Sequence, residues 1–505
     1  MARSLKILTL SAEMTPFVKV GGPADVVGAL PKALRSMGHD IRIALPAYRS
    51  VRPDQFGITP CLDTLTVPFK QGTEIVSVSE TSIANSPVYF INAPKYFHRD
   101  NIFGYNDDGA RFILFCRAAL EFCKAIGWSP DIIHAHEWHT AIVPNWMHTL
   151  YHNDPFFANT ATVFTIHNLA YQGIFGLRIL EIAGIADQEF LFPAQNDMGD
   201  VVDLMARGIM YSDVVTTVSE TYAKEIITPE FGEKLDHLLR QRSTRLYGVL
   251  NGIDAESLNP ATDPYITQNY DIYNLEQRAE NKRALQEISH LHTLPDAPLI
   301  GFVSRLTNQK GCDLFTGIID NIIKLGAQLL IVGSGDSYYH EIFSKFTEKY
   351  PGRVSTHFTF GADWTQPLYA GADMYLMPSR FEPCGLNQMI AMRYGAIPIV
   401  RATGGLADTV AEFSPENNTG EGFVFEDYNN WDLYGAIARA VQSYRFKDSW
   451  RQLMIRAMSR DYSWTASAAR YTDLYERALE FHREDAALSA PSDISAAIDT
   501  HDPLE

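Results

Sequence analysis

Cysteine is scarce: Cys61, Cys116, Cys123, Cys312 and Cys384 are scattered along the chain with no Cys-x-x-Cys pair. That spacing supplies neither a disulfide framework nor a thiolate metal site, and it points to a reducing compartment. No apolar run approaches the ~18 residues that a membrane-crossing helix needs, so an integral membrane protein is not expected. The first residues, MARSLKILTL, pass into SAEMTPF without an apolar signal core, a cleavage site or a long Ser/Arg-rich transit stretch. The expected location is the cytoplasm, or the plastid stroma for a processed mature form. Basic charge is also short, with 42 Lys and Arg against 60 Asp and Glu and a formal charge of −18. Phosphate-backbone affinity rests on clustered cations, which argues against a nucleic-acid partner. Neither a Gly-x-Ser-x-Gly elbow nor an ordered Ser/His/Asp set is present, which leaves hydrolase chemistry little support.

What is present is length and alternation. A chain of 505 residues, 46% hydrophobic and 20% charged, folds, but it exceeds the ~250–300 residues that one core organises, so about two domains are expected. Leu5–Leu10 reads as a strand. After Gly21-Gly22, the apolar residues Val27, Leu30, Leu34 and Met37 recur at helical spacing, and Ile41–Leu45 is the next strand. The same grammar returns at Asp131–Ala135, Thr162–Ile166 and Val214–Val218, with a helix expected near Thr140–Leu150. It restarts at Leu299–Val303, followed by a helix over Asp313–Leu325, strand Gln328–Val332, strand Met374–Met377, helix Gly385–Tyr394 and strand Ile397–Val400. Strands alternating with helices imply right-handed crossovers and parallel sheets. The expected class is α/β, with two doubly wound domains over residues 1–257 and 258–457. A helix over 458–483 is free to pack on either half, and a small, polar, acidic tail over 484–505 is expected to be disordered.

Ligands of open parallel sheets sit outside the carboxyl ends of the strands. Polar clusters from both halves fall there, so a cleft between two facing sheets is the simplest geometry. Gly21-Gly22 opens a helix whose amides suit an anion, with Lys19 close by; a plain tight turn is the alternative. His134, His136 and His139 invite a metal reading, but the spacing is not His-Glu-x-x-His, and lining a polar cleft or bonding backbone carbonyls is the competing role. No Asp-x-Asp occurs, so the charge of a diphosphate would fall to side chains, and Arg305 with Lys310, five apart on one loop, can meet it. The alternative for that loop is a solvated basic turn. Glu382 either caps the helix that follows or grips sugar hydroxyls at the cleft mouth.

Ordered blocks carry a resemblance: Lys19-Val-Gly-Gly with Ala24-Asp25-Val26, Trp138-His139, Phe164-Thr-Ile-His-Asn-Leu-Ala-Tyr-Gln-Gly173, Leu250-Asn-Gly-Ile-Asp254, Ser304-Arg-Leu with Gln309-Lys-Gly311, Pro378-Ser-Arg-Phe-Glu-Pro-Cys-Gly-Leu386 and Thr403-Gly-Gly-Leu-Ala-Asp-Thr-Val410. From residue 5 to about 480 the chain resembles the bacterial glycogen synthase and plant starch synthase family. The resemblance implies a GT-B fold with a last helix crossing back to the first domain. It also implies transfer of glucose from ADP-glucose, with UDP-glucose as a second candidate, to the 4-hydroxyl end of an α-1,4-glucan with retention and without a metal or other cofactor. A non-catalytic glucan-binding or initiation factor of the same fold is the alternative. The implied catalytic residues are Glu382, His167, Arg305 and Lys310. The implied substrate contacts are Lys19, Gly21, Gly22, Asp25, Glu137, Trp138, Asn168, Asn251, Ser379, Cys384, Gly385, Leu386, Gly404 and Gly405, with Tyr96 as a glucan-stacking candidate beside Trp138. The chain departs from the family pattern at Pro23, at Glu137 where the family has Asp, and at Ala362, where an adenine-stacking Tyr is usual and Phe360 or Trp364 could substitute.

Overall fold

A computed structural model describes residues 3–185, 201–359 and 361–489. The strands of the first half are β1 (Lys6–Leu10), β2 (Asp40–Pro46), β3 (Thr59–Phe69), β4 (Gly72–Ile83), β5 (Ser86–Asn92), β6 (Ile132–His136), β7 (Ala161–Ile166), β8 (Ile174–Gly176), β9 (Val201–Asp203), β10 (Val214–Thr217) and β11 (Leu246–Gly248). Nine of them form one sheet in the order β11-β10-β7-β6-β1-β2-β5-β4-β3. From β11 to β5 every pairing is parallel, while β4 joins β5 and β3 joins β4 antiparallel. Every residue of β6 and β7 is buried, as is all of β1 after Lys6, as expected for a sheet covered on both faces.

The second half contributes β12 (Leu299–Val303), β13 (Gln328–Val332), β14 (Val354–His357), β15 (Met374–Met377), β16 (Ile397–Arg401) and β17 (Phe423–Phe425). They form a parallel sheet in the order β14-β13-β12-β15-β16-β17. Each half has its own apolar core. The chain crosses between them twice, and the crossings touch: the Ile253 amide donates to the Tyr462 carbonyl at 2.8 Å, and Gly252 lies so close to the Trp464 backbone that no Cβ fits. Two carboxylates add cross-links. Asp408 accepts from the Thr221 amide at 3.0 Å and hydroxyl at 2.5 Å, and Glu225 accepts from the Thr403 hydroxyl at 2.9 Å and the Gly404 amide at 3.0 Å.

Several expected elements change bounds for physical reasons. The helix expected over Asp313–Leu325 is two, Cys312–Thr316 and Ile319–Lys324, interrupted at Gly317-Ile318; Gly317 costs helix stability and packs tightly on the Asn430 side chain. The helix expected over Gly385–Tyr394 is Asn387–Arg393, because Gly385 has φ +69, outside helical space. The β3–β4–β5 meander carried no signal that was read as strand. The final helix runs Trp464–Ser489, beyond the expected end at 483, and Arg245 grips Asp485 through two bonds of 2.7 Å. The tail expected from 484 therefore starts inside a helix, and its part beyond 489 lies outside the described residues.

The final helix belongs to the first core. Trp464, Ala468, Tyr471, Leu474, Tyr475, Ala478 and Leu479 are all buried in it, so this helix returns from the second half and packs into the core of the first. Leu474 is 2% exposed. Leu474→Ala is expected to lower unfolding stability by ~2–5 kcal/mol, measured by urea denaturation; a change below about 0.5 kcal/mol would contradict this packing.

Candidate active site

The carboxyl ends of both sheets open on one cleft of about 740 Å3. An adjoining cavity of about 400 Å3 shares Arg305, Lys310, Met377 and Asn387 with it. The cleft brings together Gly21, Gly22, Asp25, Glu137, Trp138, His167, Asn168, Asn251, Arg305, Lys310, Glu382, Cys384, Gly385 and Leu386. Lys19 and Ser379 line the adjoining cavity.

On the first sheet, β1 delivers the chain to Glu13. One oxygen of this buried carboxylate accepts from the Val20 amide at 2.6 Å and the Gly21 amide at 2.8 Å. Burial raises the Glu13 carboxyl above its ordinary value, with those two amides pulling the other way. The Gly21 amide, expected to meet a ligand phosphate, is thus committed to a side chain of the protein. Lys19 Nζ lies 2.8 Å from an Asp25 carboxylate oxygen. Pro23 falls in the first turn of helix Gly22–Ser36, where its fixed φ is already helical and its missing N–H costs nothing.

Strands β6 and β7 end side by side, and Glu137 turns left-handed there, at φ 63. From that turn its carboxylate accepts from the His167 amide at 2.6 Å and the Asn168 amide at 3.0 Å. The longer side chain at this position is thereby spent on the neighbouring turn. Burial, reinforced by the charge of Glu13 and opposed by the two amides, carries the Glu137 carboxyl up to about 8. The three histidines of the segment diverge. The His139 ring stacks on Trp138 at 3.9 Å and packs on Phe103 at 4.6 Å, while His134 reaches the Tyr475 hydroxyl of the final helix and His136 the His167 ring. Among the described residues, no group of three or more His, Cys, Asp or Glu is gathered so as to hold a metal.

On the second sheet, Lys310 Nζ lies 2.5 Å from Glu382 Oε2, and the same oxygen accepts from the Ser379 hydroxyl at 3.0 Å. Glu382 is no helix cap: the helix that follows starts at Asn387 with Leu386 at its cap position and no side-chain cap bond. Arg305 is exposed and, among the described residues, makes one long contact, 3.5 Å, to Gln309, which leaves its guanidinium open to a ligand. Burial pushes the Cys384 thiol up to about 12, which makes it a small apolar wall rather than a nucleophile.

Three expectations need correction. Tyr96 does not reach the cleft; it is 5% exposed, packs edge-on to Phe69 at 5.8 Å and donates to Glu74 at 2.6 Å, as part of the β3–β4–β5 core. Gly404 and Gly405 do not line the cleft but lie beneath it, pressed on the Glu382 and Cys384 backbones with no room for a Cβ, and the Gly405 amide donates to the Glu382 carbonyl at 3.1 Å. Trp364 stacks on His357 at 3.8 Å and is absent from the walls of the adjoining cavity; Phe360 lies outside the described residues. Among the residues that sequence reasoning missed are Glu13, Tyr171 and Asn387 in the cleft wall, and Glu225, which ties the two halves together. Tyr171 sat inside a quoted block, whereas Glu13 and Glu225 carry no motif.

Glu137 generates a pH prediction. Its folded carboxyl titrates near about 8 and an unfolded one near ~4.3, so its contribution is full below ~4.3 and is lost as pH rises toward 8. The wild-type protein should therefore lose stability relative to Glu137→Gln from about pH 5 to about pH 8, by at most about 1.4 kcal/mol per pH unit. Chemical denaturation across that range checks it, and a pH-independent difference would contradict it.

Comparison with known proteins fits this architecture. Residues 6–241 match the family model of the starch synthase catalytic domain, and residues 286–453 match that of the glycosyl transferases group 1. The chain is 44% identical over 487 residues to a glycogen synthase of Moorella thermoacetica, covering 96% of this chain and 99% of that protein. It is 44% identical over 482 residues to one of Thermotoga maritima, covering 94% and 99%. Among solved structures, the catalytic domain of starch synthase IV from Arabidopsis thaliana, bound to ADP and acarbose, superposes with TM-score 0.87 at 34% identity, covering 95% of this chain and all of that one. Sucrose-phosphate synthase from Thermosynechococcus elongatus, with TM-score 0.58 at 18% identity, shares the fold alone. With its two facing sheets and the Lys310–Glu382 pair between them, the chain belongs to the glycogen and starch synthase family, glucosyltransferases of GT-B fold that synthesise glucan.

Proposed function

We propose that the protein transfers glucose from ADP-glucose to the 4-hydroxyl at the non-reducing end of an α-1,4-glucan, with retention of configuration and without a metal ion. The observation that carries this reading is the shared wall of the two cavities, where Arg305 and Lys310 stand together with Glu382 at 2.5 Å from Lys310. That the similar starch synthase structure is bound to ADP and acarbose supports a nucleotide and a glucan as the classes of ligand. UDP-glucose is the competing donor. Maltooligosaccharide, glycogen or starch is the acceptor class, and the cytoplasm or a plastid stroma is the compartment.

In this reading Arg305 and Lys310 hold the diphosphate and take up the charge that develops on the leaving ADP. Preorganised groups of this kind act strongly because they need no rearrangement as the charge forms. Glu382 orients Lys310 and keeps an oxygen for glucose hydroxyls. Tied to a cation and a serine, it is poorly suited to attack the sugar, so departure and attack on the same face of an oxocarbenium-like glucose is the inferred route. Burial holds the His167 imidazole down to about 3; it stays neutral and serves as a hydrogen-bonding group toward the sugar, not as an acid. Asn251, Asn168, Asp25 and the backbone over Cys384–Leu386 complete the sugar pocket, and Trp138 offers its ring to glucan.

The test is incorporation of labelled glucose from ADP-glucose and, separately, UDP-glucose into maltooligosaccharide in the presence of a chelator. Incorporation from ADP-glucose is expected, and none from either donor would refute the proposal. Lys310→Ala and Glu382→Ala should each lower kcat by ~10²–10³ while the protein remains folded by circular dichroism. Glucan binding without turnover by the wild type would instead support a non-catalytic glucan binder.

A further inference from the structure

Strand β6 carries an arrangement that the transfer chemistry above leaves unused. Period-two alternation puts His134 and His136 on one face of the strand, and their rings lie 4.0 Å apart. His134 Nδ1 is 2.9 Å from the hydroxyl of Tyr475, which the final helix supplies, and its Nε2 is 2.6 Å from Thr165 Oγ1 on β7. His136 Nδ1 is 2.9 Å from His167 Nε2. All three rings are buried, His134 and His136 at 1% exposure and His167 at 7%. A file of imidazoles thus runs from the returning helix to the cleft wall.

Burial holds each of the three well below the usual histidine range, and for His134 and His136 the neighbouring imidazoles reinforce it. Each ring is therefore neutral and carries a single N–H. The contact between His136 and His167 then holds one proton, which belongs to one of two rings. If His167 Nε2 donated, the proton of His136 would sit on its Nε2, an atom that is buried without any hydrogen-bond partner. A buried N–H left unpaired costs more than an unused lone pair, which is why orphaned donors are the rarer of the two in native proteins. The proton accordingly sits on His136 Nδ1 and is donated to His167 Nε2. That assignment leaves the proton of His167 on its Nδ1, an atom with no protein partner among the described residues, on a ring that lines the cleft.

We propose that His136 is the positioning residue of His167: its Nδ1–H fixes the His167 ring and holds it as the Nδ1–H tautomer, so that a donor rather than a lone pair faces an oxygen of the bound sugar. The sugar rests on the transferase reading given above, whereas the tautomer does not. The backbone of His167 is anchored separately by Glu137, so the turn and the ring are set by two different residues.

Two measurements on the full chain test this. The first is a two-bond proton–nitrogen correlation spectrum of the protein labelled with nitrogen-15 in its histidine rings, with the His167 signals identified by their loss in His167→Gln. At neutral pH a protonated Nδ1 and a bare Nε2 are expected for His167, and the reverse pattern would overturn the proposal whether or not the protein transfers glucose. The second compares His136→Asn, whose amide nitrogen takes the place of Nδ1 and keeps a donor, with His136→Val, which has none. His136→Val should lower kcat at least about tenfold with KM for ADP-glucose within about twofold, and His136→Asn should recover most of that loss. Equal loss in both variants, or loss confined to KM, would overturn it. Should either variant fail to fold, the wild-type spectrum decides.

Discussion

Parallel strands that end at a common edge deliver turns whose backbone amides have no partner in the sheet, and in this protein buried and half-buried glutamates accept them. Glu13 holds the amides of Val20 and Gly21, Glu137 those of His167 and Asn168, and Glu225 that of Gly404. Glu13 closes its own loop, whereas Glu137 binds the turn after β7 and Glu225 a turn of the other half of the molecule. Burial raises all three carboxyls, because leaving water disfavours the charged form, and the amides partly offset that cost. The cleft is thereby built before any ligand arrives, which is the condition under which fixed charges act most strongly on a reaction.

This frame explains why a chain of net charge −18 can serve a diphosphate. Much of the acidity near the site is internal and already paired with backbone amides, with Lys19 through Asp25, or with Lys310 through Glu382. Among the described residues Arg305, unlike Lys19 and Lys310, has no carboxylate partner. Net charge describes solubility and long-range steering, whereas the site is governed by a few groups at contact distance.

Much of the fold was legible in sequence because buried parallel strands read as short apolar runs between glycine turns. Leu299–Val303, Gln328–Val332 and Met374–Met377 were located to the residue. Helix ends were less legible, since Gly385 and Gly317 act through backbone conformation and close packing that periodicity does not carry. The cations and Glu382 stood out through spacing and family motif. The carboxylate clamps did not, because Glu13 has meaning only once its loop has folded back on it, and Glu225 only once a distant turn is placed against it. Tyr96 misled for the complementary reason: an aromatic side chain reads the same in a core as in a groove, and its packing on Phe69 and bond to Glu74 on the meander settle which it is.

The most direct test of the account is a crystal structure of the protein with ADP and a maltooligosaccharide. The diphosphate is expected between Arg305 and Lys310, with the sugar chain in the 740 Å3 cleft between Glu382 and the His167–Asn168 turn. A diphosphate bound away from both cations, or a glucan seated only outside the cleft, would contradict it.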